Sequence, residues 1–243
     1  MPDAALFIGV VFLLAGLVKG VTGLGLPTVA IAGLTLLKAP AEAAALIVVP
    51  SLVTNIWQMW VGAALPLLMR RLWPVLAGII GGVALGGWGL AGLDAAVGRV
   101  MLGIVLLLYA GFGLAGPQLT RPSATTEQVA GPCVGLATGI VASITGVFVM
   151  PLVPYLQTLG LTRDQLVQAL GLLFTAATVA LAVLLALRGV LVVETALTSS
   201  LALAPALAGM ALGQRIRAKL PLVWFRRLFF ATLGLLGLHL VFG

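Results

Sequence analysis

The stretch AGLVKGVTGLGLP, from Ala15 to Pro27, returns in altered form as TGIVASITGVFVMP, from Thr138 to Pro151. Gly16, Thr22 and Gly23 fall on Gly139, Thr145 and Gly146 at a shift of 123 residues, and Pro27 falls on Pro151 at 124. Farther along, Ser51 and Thr54 match Thr175 and Thr178 at 124, Gly82 and Gly86 match Gly209 and Gly213 at 127, and Arg99 matches Arg227 at 128. A shift that drifts slowly and in one direction is the mark of a duplicated chain that has since gained short insertions.

The medium in which this duplicate folds follows from composition. Of 243 residues, 62% are hydrophobic and 8% charged, against about 45–50% and about 25% in soluble domains. Thirteen Lys and Arg with six Asp and Glu cannot cover a soluble surface of this size. The chain therefore reads as an all-α integral membrane protein. Its 31 glycines suit helices that pack closely in lipid or are interrupted there. One cysteine, Cys133, and one histidine, His239, exclude an intramolecular disulfide and a Cys/His metal cluster, so no cofactor is expected. Cys133 is expected to be a small buried side chain, and His239 a packed or interfacial one. The start, MPDAALF, carries Asp3 where a signal peptide carries basic residues, which argues against a cleaved leader.

Apolar runs between charges and turn residues give ten segments, at 4–18, 24–37, 41–62, 72–92, 98–116, 128–144, 147–160, 164–187, 191–213 and 222–241. A spanning helix needs about 20 residues, so the first, second, sixth and seventh segments read as short. Five segments per half is an odd number, so the two repeats must lie in the membrane with opposite orientation. The expected organisation is a first transmembrane repeat over residues 1–117, a polar linker over 118–127 and a second repeat over 128–243.

Sorting charges by alternate loops sets Lys19, Arg70, Arg71, Arg121, Arg163, Arg215, Arg217, Lys219, Arg226 and Arg227 on one side, with Glu127 and Asp164. Lys38, Arg99 and Arg188 fall on the other, with Asp3, Glu42, Asp94 and Glu194. Positive loops stay inside, which puts the first group in the cytoplasm and both termini on the extracytoplasmic face of the cytoplasmic membrane. The net charge of +7 is thereby explained by topology and lipid headgroups, and no nucleic-acid partner is expected.

Inverted repeats with paired short or Gly-interrupted segments point to a transport site at their interface. Helix N-termini converging near Thr22, Gly23, Gly25 and Thr145, Gly146 would favour an anion, since each carries about half a positive charge. Close helix packing is the other use of such glycines. Lys19 gives the same sign: it follows a run of apolar residues, its counterpart is Ala142, and no acidic residue in the neighbouring segment neutralises it. Snorkelling to the cytoplasmic interface is the alternative for this side chain. Ser51, Asn55 and Gln58 share one face of the third segment, just after Pro50, whose missing N–H frees the carbonyl of Leu46. Gln168, Thr175 and Thr178 form a comparable face in the eighth, and either set lines a polar cavity or bonds between helices. Pro40 with Glu42, and Thr162 with Asp164 and Gln165, read as helix starts.

These residues, KGVTGLGLP and TGVFVMP together with GGVALGG and AGMALGQ, resemble the sulfite exporter TauE/SafE family over nearly the whole chain. The resemblance implies a membrane permease for a small sulfur-containing anion such as sulfite, a sulfonate or sulfoacetate. Many members carry three successive glycines in the first motif, where this chain has Gly23, Leu24, Gly25 and Leu26, so the resemblance leaves the particular anion open.

Every acidic residue lies near a segment end, so carboxylate-based proton coupling is not indicated. A monoanion leaving a cell that is negative inside gains about 2.3 kcal/mol per 100 mV without coupling. The expected activity is export by alternating access; an anion channel or a helical subunit of a larger transport complex is the alternative. An intramembrane enzyme lacks a nucleophile with its base. The expected partners are the anion and membrane lipids, with assembly into a homo-oligomer left open.

Overall fold

The computed structural model describes residues 2–89, 94–116, 120–217 and 222–243. Residues 90–92 of the fourth segment, linker residues 118 and 119, and Lys219 lie outside the described residues. Among those described, all regular structure is helical: α1 (Pro2–Thr22), α2 (Leu26–Leu34), α3 (Pro40–Trp60), α4 (Leu65–Gly89), α5 (Ala95–Ala115), α6 (Ala124–Thr145), α7 (Leu152–Thr158), α8 (Arg163–Leu187), α9 (Val193–Leu201), α10 (Leu203–Arg217) and α11 (Leu222–Phe242).

Local chemistry sets these boundaries. Pro40 opens α3 at a position where a missing N–H costs nothing. The Thr162 hydroxyl accepts from the Gln165 amide while the Gln165 side chain accepts from the Thr162 amide, a complete capping box for α8. Ser123 caps α6 and Asp94 caps α5 in the same way, each through one side-chain acceptor. Gly116 and Gly146 close α5 and α6 in the left-handed conformation.

Seven stretches are long and apolar enough to cross a membrane: Ala5–Thr22, Pro40–Trp60, Leu65–Trp88, Ala95–Ala115, Ala124–Thr145, Arg163–Leu187 and Val193–Ile216. The protein is a multi-pass helical membrane protein. Two segments expected to be short are therefore long. α1 continues through Lys19 to Thr22, because that side chain finds partners inside the protein and does not end the helix. α6 begins at Ala124, because the Ser123 cap draws Ala124, Thr125, Thr126 and Glu127 of the expected linker into its first turns. Only α2 and α7, of nine and seven residues, remain too short; at 1.5 Å per residue even α2 reaches about 14 Å. The ninth segment is divided at Ala202, three residues before Pro205, which has no N–H to give the carbonyl of Leu201. Cys133 is exposed, not buried, on the outer face of α6.

Four helix pairs carry the packing: α1 with α10, α4 with α6, α3 with α8 and α5 with α11. Glycine makes the first two close. A Cβ on Gly16 would strike the backbone of Ala206, and one on Gly209 the carbonyl of Leu13. A Cβ on Gly139 would strike the carbonyl of Ile79, and one on Gly82 that of Leu136. These collisions correspond residue by residue. Gly16 and Gly139, like Leu13 and Leu136, lie 123 apart, while Ile79 and Ala206, like Gly82 and Gly209, lie 127 apart.

Arg71 of α4 grips Glu127 of α6 through two hydrogen bonds of 2.6 and 2.7 Å and donates a third, of 3.1 Å, to the Leu159 carbonyl. The Tyr155 hydroxyl of α7 donates to the Glu127 carbonyl at 3.2 Å. Large apolar side chains, including Trp57, Trp73, Trp88 and Leu187, are left exposed on the helices.

Candidate functional site

Lys19 is 5% exposed although it sits in the last turn of α1. Its ammonium donates to the Thr54 hydroxyl at 3.0 Å and to the Asn55 side-chain carbonyl, both on α3. Thr54 gives its own proton to the Pro50 carbonyl at 2.7 Å, so towards Lys19 it is purely an acceptor. A lysine has nothing but donors, which fixes the Asn55 amide with its oxygen towards Lys19 and its NH2 turned away.

That NH2 is buried without a partner, as are the Ser51 hydroxyl and the Gln58 side-chain oxygen. Ser51 lies about one turn before Asn55 and Gln58 about one turn after it, so the unmet groups share a face of α3. Gln58 spends its NH2 on the Gly23 carbonyl, 2.9 Å away, which ties the stripe to the break between α1 and α2. Leaving buried polar groups unpaired costs about 1–3 kcal/mol each, and native proteins seldom do so without a use for them. Thr28 on α2 and Thr138 on α6 carry further unpartnered hydroxyls.

The two Thr-Gly steps form the same turn. Thr22 accepts from the Leu24 amide at 3.0 Å and the Gly23 amide bonds to the Lys19 carbonyl at 2.8 Å. Thr145 accepts from the Val147 amide at 3.2 Å and the Gly146 amide bonds to the Ala142 carbonyl at 2.8 Å. Gly23, Gly25 and Gly146 all have positive φ, of 80°, 97° and 71°, a conformation that side chains resist. Both steps are helix C-termini, where the expectation was of convergent N-termini, because the glycines stop α1 and α6. Only α2 starts nearby, with Gly25 before its first turn.

The turns also face different cavities. Thr22 lines one of about 290 Å3 with Tyr109, Gln157, Arg226, Phe229 and Phe230. Gly146 lines another of about 160 Å3 with Pro40, Asp94, Ser143 and Arg188. The structure thus brings together Lys19, Ser51, Asn55, Gln58 and Gly23, and leaves Thr145 and Gly146 apart from them.

The polar face of α8 is satisfied within the protein. Gln168 accepts from the Ala64 amide and donates to the carbonyls of Met59 and Gly62, at 2.9–3.1 Å, and so holds the connection between α3 and α4. Thr175 and Thr178 each bond the carbonyl four residues back, at 2.6 Å. Two residues escaped the sequence reading. Thr54 entered it only as a repeat match, although its place beside Asn55 and four residues after Pro50 was a signal. Ser199 lies 153 residues from its partner, the Leu46 carbonyl, and nothing local marks it.

A multi-pass helical membrane protein with a buried lysine and a row of unmet hydrogen-bonding groups between its helices belongs to the class of membrane transport proteins. The chain is a member of the sulfite exporter TauE/SafE family, whose model matches residues 8–240. No curated protein and no solved structure matches it.

Proposed function

We propose that the protein is a permease of the cytoplasmic membrane that exports a small sulfur-containing anion, such as sulfite or an organic sulfonate, by alternating access. The buried, carboxylate-free position of Lys19 carries this reading. An ammonium inside a membrane costs a few kcal/mol on insertion scales and marks a pathway or a partner. Among the described residues the ion pairs join Lys38 to Glu42 and Arg71 to Glu127, which leaves Lys19 to a mobile anion. The Asn55 NH2 and the Ser51 hydroxyl supply further donors on the same face for the oxygens of a sulfite or sulfonate group. Lys19, Thr22, Gly23, Gly25, Ser51, Thr54, Asn55 and Gln58 make up the proposed site, and Gln168 of the other half supports it by holding the connection between α3 and α4.

Two inverted repeats would supply the motion. The matched pairs α1–α10 and α4–α6, the corresponding glycine contacts, and one short helix in each half support that architecture. The excess of basic residues in alternate loops supports extracytoplasmic termini. Uptake of labelled sulfite, methanesulfonate and sulfate into proteoliposomes containing only this chain is the test. Saturable uptake that shows counterflow, reduced in Lys19→Met and Asn55→Ala, is expected. Normal transport by both variants would remove the site, and flux indifferent to potential but abolished by collapsing a pH gradient would remove the uncoupled mechanism.

A further inference from the structure

Among the described residues, two neutral acceptors and no carboxylate meet Lys19. Thr54 and Asn55 each stabilise an N–H directed at them, but neither brings negative charge, and the corresponding position in the other half is Ala142. The site therefore holds one half of an ion pair, and the transported anion is the other half. With the anion in place the two charges cancel. Without it, as long as Lys19 keeps its proton, a bare ammonium passes through the closed intermediate of the transport cycle, where water is excluded and the low dielectric raises its cost.

We infer that the protein works chiefly as an anion exchanger, recrossing quickly when an anion lies against Lys19 and slowly when the site is empty. This rests on the permease reading above. The same asymmetry decides where the membrane potential acts. A monoanion that travels beside Lys19 moves no net charge, so loaded crossing is insensitive to voltage. The empty return carries the ammonium, and net export driven by the potential is limited by that step.

The test uses proteoliposomes of the full chain, loaded with labelled methanesulfonate, a permanent monoanion, or with labelled sulfite at mildly acidic pH, and clamped with potassium and valinomycin. Unlabelled anion on the far side is expected to accelerate efflux at least about tenfold, equivalent to about 1.4 kcal/mol of barrier. Exchange should run equally fast with and without an applied potential, whereas net efflux should follow the potential. Lys19→Gln, which keeps an N–H donor for the α3 acceptors but no charge, should lose the acceleration. Where that variant carries no flux, the wild-type ratio decides. Equal efflux with and without far-side anion, or exchange as voltage-sensitive as net efflux, overturns the inference while leaving the permease reading intact. No saturable flux of either anion overturns both.

Discussion

At the end of α1, Thr22 bonds the Leu24 amide at 3.0 Å and Gly23 turns the chain; at the end of α6, Thr145 bonds the Val147 amide at 3.2 Å and Gly146 turns it. Within one turn of the first lies Lys19, and at the matching distance from the second lies Ala142. On the third helix of the first half stand Asn55 and Gln58; 124 residues on, α8 has Val179 and Ala182. Val179 is 47% exposed on the outside of the protein, whereas Asn55 is fully buried. Helix breaks and glycine crossings recur at matched positions of the two halves. The lysine and the two amides at these positions stand in the first half alone, so the turns match and this part of the chemistry does not.

Paired substitutions can break that contrast. The largest effect is expected at the crossings: Gly16→Val and Gly139→Val each drive a side chain into backbone, and overpacking costs of at least about 3 kcal/mol should remove folded protein from detergent extracts in both cases. Melting temperatures that fall in only one of the two would show the framework to be less symmetric than the contacts imply. Next comes Lys19→Met, expected to lower anion kcat/KM at least about a hundredfold, the scale of losing a charge-assisted contact of about 3 kcal/mol. Its Tm should stay within a few degrees of wild type, since an unpaired buried charge does little for stability. Asn55→Ala should cost transport about tenfold, or about 1.4 kcal/mol, and Val179→Ala should leave flux unchanged. Equal losses in that pair would move the site off α3. The smallest effect belongs to Ser199→Ala, which removes two hydrogen bonds and should lower stability by about 1–2 kcal/mol in urea or thermal unfolding, with substrate KM unaltered.

Much of this was legible in the sequence because its causes are local. The shared face of Ser51, Asn55 and Gln58 follows from helical spacing, the start of α8 from Thr162 and Gln165, and the free carbonyl at Leu46 from Pro50. The glycine crossings were legible as matched positions, although which helices they join was not. Charge was the misleading signal. Lys19 and Glu127 marked segment ends on hydropathy alone, yet both lie within helices, because Thr54 with Asn55, and Arg71, receive them. Those partners are 35, 36 and 56 residues away, and no local pattern reports them. The division of the ninth segment had a visible cause in Pro205 that the apolar run concealed.

The gap that Pro50 leaves in α3 is closed from outside the helix. Ser199 of α9 is fully buried, gives its proton to the Leu46 carbonyl at 2.7 Å and takes one from the Val49 amide at 3.1 Å, standing in for the missing rung of the ladder. A proline gap ordinarily leaves a helix free to flex on its own. Here the pivot of the first half is pinned by a hydroxyl borrowed from the second. Any bend in α3 that carries Ser51, Asn55 and Gln58 must therefore drag α9 along or break that pin, which ties the polar face of the first half to a helix of the second.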